Sequence, residues 1–150
     1  MTRAARAVAL LAPIVLAACA SGPRLATVDS RIPPVAADAS RIWFYRPAIF
    51  LGDGVQPDIL LNGKPVGKAE PGGVFFVDAK PGPCDVSMQT EVTRHLTLVA
   101  QPGGQTYVEA VVEPGILVAR VYPDLIDPAE AQQAIRSLHF TGKLALQAAN

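Results

Sequence analysis

Few side chains in this sequence could do covalent or acid–base chemistry. There are two cysteines, Cys19 and Cys84, and two histidines, His95 and His139. A zinc site wants three or four His, Cys or carboxylate ligands at a recognisable spacing, and these four residues do not supply it. Glu109 and Glu113 are the most suggestive carboxylate pair. Four residues apart on a strand they share a face, but about 13 Å separates them. Glycosidase pairs work at about 5–9.5 Å, so the two read as a solvated stripe. No G-x-S-x-G elbow, phosphate loop, H-E-x-x-H or G-x-G-x-x-G occurs. Cys84 reads as a small buried hydrophobe, with an intermolecular disulfide as the alternative. Cys19 is different, because of what precedes it.

Residues 1–6 carry Arg3 and Arg6 and no acid, and the run AVALLAPIVLAA follows from Ala7 to Ala18. A basic start, a short apolar stretch and small residues at its end are the parts of a secretory signal peptide. A membrane-spanning helix needs ~20 apolar residues. This run is shorter, and Pro13 interrupts its helical bonding. Leu16-Ala17-Ala18-Cys19 resembles the lipobox of bacterial lipoproteins. That resemblance implies a diacylglyceryl thioether on Cys19, cleavage just before it, and Cys19 as the first residue of the mature chain. A thiol suits such a step, being a strong nucleophile near neutral pH. Ordinary signal cleavage after Ala20 is the competing expectation, since Ala18-Cys19-Ala20 is also small-x-small. Ala20 stands where an aspartate would imply inner-membrane retention, so the resemblance implies the inner leaflet of the outer membrane, facing the periplasm.

The elements that follow must carry whatever the protein does. Thirteen basic and thirteen acidic residues balance to a formal charge of +0, leaving no basic field for nucleic acid. Fourteen prolines and twelve glycines in 150 residues disfavour long helices. Residues 20–40 mix small, polar and proline residues without a sustained period, and read as a flexible tether of about 25 Å root-mean-square length. Docking of Ile32 and Val35 as an edge segment is the alternative.

From Arg41 the texture changes to short apolar runs parted by Gly and Pro. The runs are Arg41–Arg46, Asp58–Leu61, Lys64–Lys68, Val74–Val77, Cys84–Met88, His95–Val99, Tyr107–Glu113 and Ile116–Tyr122. Asn62-Gly63 between two of them is a hairpin signal, because both turn residues need positive φ. This spacing predicts an all-β fold, an antiparallel β-sandwich of seven or eight strands. One helix is marked by Asp127 as N-cap, Pro128 at the first position and Glu130 at the third. Ala131, Ala134, Ile135 and Leu138 fall on one face, and the helix is expected to end near Gly142. The domain plan is therefore 1–18 signal peptide, 19–40 acylated N-terminus and tether, 41–142 sandwich, and 143–150 tail.

The stretch from Arg41 to about Val121 resembles a domain of unknown function found in small bacterial lipoproteins, itself similar to PEGA-type β-modules. The residues that carry the likeness are Tyr45-Arg46-Pro47, Asn62-Gly63-Lys64 with Val66-Gly67, Gly73-Val74-Phe75-Phe76, Pro81-Gly82 and Gly104-Gln105-Thr106-Tyr107. The chain departs from that pattern at Pro83-Cys84. The resemblance implies a β fold in the cell envelope and carries no catalytic residues. The expectation is a non-enzymatic, lipid-anchored structural or interaction module, without cofactor or metal. Its partners would be the membrane, through Cys19, and other envelope proteins or the cell wall. A binding domain for a small ligand or cell-wall glycan is the rival, with Trp43 and Tyr45 as the expected binding surface.

Overall fold

A computed structural model describes residues 20–143. Among these residues nine strands form two sheets. The strands are β1 (Ser40–Tyr45), β2 (Asp58–Leu61), β3 (Lys64–Lys68), β4 (Gly73–Ala79), β5 (Gly82–Gln89), β6 (Thr93–Ala100), β7 (Gln105–Glu113), β8 (Arg120–Ile126) and β9 (His139–Phe140). One sheet has the order β8-β7-β1-β4-β9 and the other β3-β2-β5-β6. The β-sandwich expected from the strand spacing is thus the architecture. Most pairings are antiparallel, but β1–β7 and β4–β9 are parallel. Asn62 and Gly63 make the β2–β3 turn with φ of 51° and 75°, as that dipeptide requires.

Strand β1 is the centre of the larger sheet and is buried along its whole length. Its alternate side chains serve two cores. Ile42 and Phe44 point between the sheets and pack with Ile59, Val86, Met88, Val108 and Val121. Trp43 and Tyr45 point outward, into a second cluster with Val74, Tyr107, Ile135 and Phe140.

That outer cluster corrects the reading of residues 20–40 as a flexible tether. Leu25 and Val28, in the short helix α1 (Leu25–Val28), are buried in it at 4% and 0% exposure. The segment is also held by its backbone. Ala20 N donates to Pro71 O at 3.1 Å, Leu25 N to Leu138 O at 2.8 Å, and Arg41 Nη1 to Pro33 O at 2.8 Å. It crosses the outer face of the larger sheet and turns at Ala36–Ala39 into β1. Two aliphatic side chains, spaced for one helical turn, suffice to dock it despite its polar composition. Ile32 packs at the margin of the same cluster, but Val35 belongs to neither cluster and residues 32–35 form no edge strand, so the docking alternative holds only for Ile32.

Two further boundaries differ from the sequence reading. The helix α2 (Pro128–Ile135) has the expected cap, with the Asp127 carboxylate accepting from Ala129 N at 2.8 Å. It ends at Ile135, well before Gly142, because the chain leaves it to bury Leu138 and Phe140 against β4. Ala134, expected on the apolar face, is exposed. The last long strand begins at Arg120, four residues after Ile116. The amides of Ile116–Val118 are taken by Glu91 instead of a strand ladder. Pro123 is accommodated because β8 is an edge strand, where a missing N–H costs no pairing.

Candidate functional site

Cys19, the residue that the sequence marks most strongly, lies outside the described residues. The other two expected site residues are placed together, but inward. Trp43 is 5% exposed and Tyr45 2%. The Trp43 indole Nε1 donates to Gln105 Oε1 at 2.8 Å, and its ring lies parallel to that of Tyr107 at 6.3 Å between centroids. Tyr45 Oη donates to Glu109 Oε2 at 2.8 Å, and burial, then this carboxylate, raises the phenol pKa far above its ordinary value. Both rings therefore build the outer core, and neither is an open binding surface. Trp43 does line one cleft of about 430 Å³, with Leu25, Gln105, Tyr107, Gln132 and Arg136 around it. The indole and both glutamines there are bonded internally, with Gln132 Nε2 donating to Tyr107 Oη at 3.1 Å.

The remaining sequence candidates are dispersed. His95 lies exposed on β6 against Asp85, at 3.0 Å from Nδ1, while His139 is on β9 with Nδ1 2.7 Å from Gly22 O. Cys84 is free and buried at 3% exposure, as a small apolar residue of the inner core. Glu109 and Glu113 each accept from a tyrosine, Tyr45 and Tyr122 respectively. No group of three or more His, Cys, Asp or Glu that could hold a metal is found among the described residues.

Two charged residues that sequence reasoning passed over instead organise one end of the sandwich. Arg46 follows β1 and is 1% exposed. Its guanidinium donates to three backbone carbonyls, Val55 O (2.5 Å), Gly52 O (2.7 Å) and Ala69 O (2.9 Å), and burial lowers its pKa. A buried cation with no carboxylate partner in contact is held by carbonyl dipoles, and in return it fixes the Ala48–Pro57 loop. Gly52 is required in that loop. It has φ of 76°, and a Cβ there would come within 2.9 Å of Ala119 and Val112.

Glu91, in the β5–β6 turn, does the equivalent work for the β7–β8 loop. Its carboxylate accepts from the amides of Leu117, Val118 (2.9 Å) and Ile116 (3.1 Å), and from Arg120 Nε at 3.0 Å. Those amides, Leu117 first, pull its pKa down to about 2. The only cue in the sequence is a lone acid in a turn, which carries no such meaning by itself.

A family model described as a protein of unknown function (DUF2846) matches the chain over residues 36–119. The chain belongs to the DUF2846 family. The DUF2846 match runs from the turn before β1 to the end of the β7–β8 loop. It therefore includes Arg46, Gly52 and Glu91, and it leaves α1, β8, α2 and β9 outside. Comparison with curated proteins finds no match.

Proposed function

We propose that this DUF2846 protein is a lipid-anchored envelope lipoprotein, facing the periplasm from the outer membrane. Its sandwich serves as a non-catalytic structural or protein-interaction module. One observation carries the reading: Leu16-Ala17-Ala18-Cys19 ends a basic, apolar leader. The likeness of Arg41 to Val121 to domains of small bacterial lipoproteins and PEGA-type modules supports the same setting. The site chemistry is consistent with it, because the two Nη atoms of Arg46 and the Glu91 carboxylate are engaged by backbone of neighbouring loops. The small-ligand or glycan reading rests on the cleft beside Trp43. It is the weaker one, since the indole and the two glutamines there are already bonded internally.

Feeding cells a labelled fatty acid tests the proposal. The wild-type chain takes up label and Cys19→Ser does not. Label retained in Cys19→Ser, or a wild-type N-terminus at Ser21, overturns it.

A further inference from the structure

The loops at the two ends of the sandwich differ sharply in character. At one end stand the β2–β3 turn (Asn62, Gly63), Lys80-Pro81 and Gln101-Pro102-Gly103, all polar or turn-forming. At the other end the loop tips are apolar and exposed. Phe50 is 95% exposed, Leu117 89% and Ile116 85%, with Ile49, Leu51 and Val118 each above 40%. Scattered apolar side chains on a surface mean little, but clustered ones mark an interaction site. These lie on two loops at one end of the sandwich, and the loops meet at their feet: a Cβ on Gly52 would touch Val112 and Ala119, so the loop that carries Phe50 runs against the base of the loop that carries Leu117. They are also fixed in place, one by Arg46 and the other by Glu91. The fold thus holds a preformed apolar prow of about six side chains where water would favour polar ones.

The first of the described residues lies at the same end. Ala20 N bonds Pro71 O, and Ala20 lines a recess with Ala48, Ile49 and Phe50. Cys19 is joined to Ala20 by one peptide bond. Because residues 20–40 are docked and not a free tether, Ala20, the residue after Cys19, is held at the Phe50 end.

From these observations we propose that the Phe50–Leu117 end is a bilayer-seating surface. On the lipoprotein reading, on which this rests, the acyl chains enter the leaflet and the two apolar tips sink into the headgroup and upper acyl region around them. The occupant is a phospholipid surface. Apolar and aromatic side chains projecting from a water-soluble frame partition there, about 5–10 Å deep. The opposite end, with Lys80 and Asn62, then faces the periplasm and is left free for a partner. A lipoprotein seated in this way has a fixed orientation, which a flexible tether would not give it.

The test uses the full chain in intact envelopes, with a benzophenone side chain incorporated at position 50, 117 or 80 and lipid adducts read by mass spectrometry. Fatty-acid labelling is run on the same samples. Positions 50 and 117 should give lipid adducts roughly tenfold above position 80, as expected for insertion to that depth. Equal yields at all three positions overturn the proposal. So do adducts at 50 and 117 to a second copy of the chain or to another protein, which would make the prow a protein interface. An acylated chain without lipid adducts at 50 and 117 sinks the seating surface and leaves the anchor standing. An unacylated chain that still gives them sinks the anchor and supports the surface.

Discussion

The two faces of the five-stranded sheet are covered by different kinds of material. The inner face meets a second sheet, so Ile42, Phe44, Val108 and Val121 are buried by strand packing on strand. The outer face meets pieces of chain from both ends of the domain: Leu25 and Val28 from before β1, Ala131, Ile135, Leu138 and Phe140 from after β8. The inner face is apolar but for Ser40 and Thr106 near one end. The outer one places polar groups at its margin, with Trp43 Nε1, Tyr45 Oη and the Arg41–Asp78 ion pair (2.7 Å) each satisfied there. Arg41 also lies over the Phe76 ring at 3.9 Å. A central strand with apolar residues on both faces therefore demands two layers of cover, and the second layer need not look like secondary structure in the sequence.

The comparison breaks most directly by removing half of the outer cover. A chain starting at Ser40, set against one starting at Ala20, loses the burial of Leu25 and Val28. At about 1.5–3 kcal/mol for each side chain, the cost is about 3–6 kcal/mol. The urea midpoint should fall accordingly. Trp43 is the single tryptophan, so its emission should also shift to the red as the outer face meets water. Equal midpoints and unchanged emission would restore the tether.

Single truncations on β1 sharpen the same contrast. Phe44→Ala empties the inner core and Trp43→Ala the outer one, each costing about 3–5 kcal/mol. Combined with Leu25→Ala, Trp43→Ala should show a coupling above about 0.5 kcal/mol, because both side chains belong to the outer cluster. Phe44→Ala with Leu25→Ala should add. Coupling of the same size in both cycles would mean that the two faces behave as one core.

The inner layer was legible because strands announce themselves. Runs such as Ile59-Leu60-Leu61 and Val74–Val77, set off by Asn-Gly and Pro-Gly, locate eight of the nine strands by local chemistry, but not the two-residue β9 or the parallel β1–β7 and β4–β9 pairings. The outer layer was not. Leu25 and Val28 are two apolar residues in a polar, proline-rich stretch, and only Trp43 and Tyr45 across the sheet give their spacing a purpose. Those two rings looked like a binding surface for the same reason: an exposed aromatic and one awaiting a cover read alike in sequence. Arg46 and Glu91 were passed over because each acts on backbone carbonyls or amides far along the chain, which residue type does not report. Cys19 stands apart, since the proposal that it carries an address owes nothing to the fold.

The helical part of the outer cover depends on its cap. Asp127→Ala removes the acceptor for Ala129 N, at a cost of about 1 kcal/mol. Asp127→Asn should keep most of that. If Asp127→Ala left the denaturation midpoint unchanged, α2 would be held by packing of Ala131 and Ile135 alone.

The smallest effect is confined to the loop end and belongs to neither layer. Glu91 ties the β5–β6 turn of one sheet to the β7–β8 loop of the other through hydrogen bonds, without apolar burial. Its carboxyl sits at about 2 in the folded chain against an ordinary 4.5, with the Leu117 amide as the largest cause. A depressed carboxyl stabilises the fold where the unfolded group is already ionised. The contribution is complete above about pH 4.5 and is lost as pH falls through about 2. Amide resonances of Ile116, Leu117 and Val118 should therefore titrate with a midpoint near 2 and hold steady above 4.5. Glu91→Gln, which keeps an acceptor but no charge, should abolish that titration. Trp43 emission should stay constant while the loop amides move, because the outer cluster contains no part of this loop. A loop midpoint at the ordinary carboxyl value would show that the carboxylate does not hold these amides. Emission changing in step with them would show that the loop end and the outer layer unfold together.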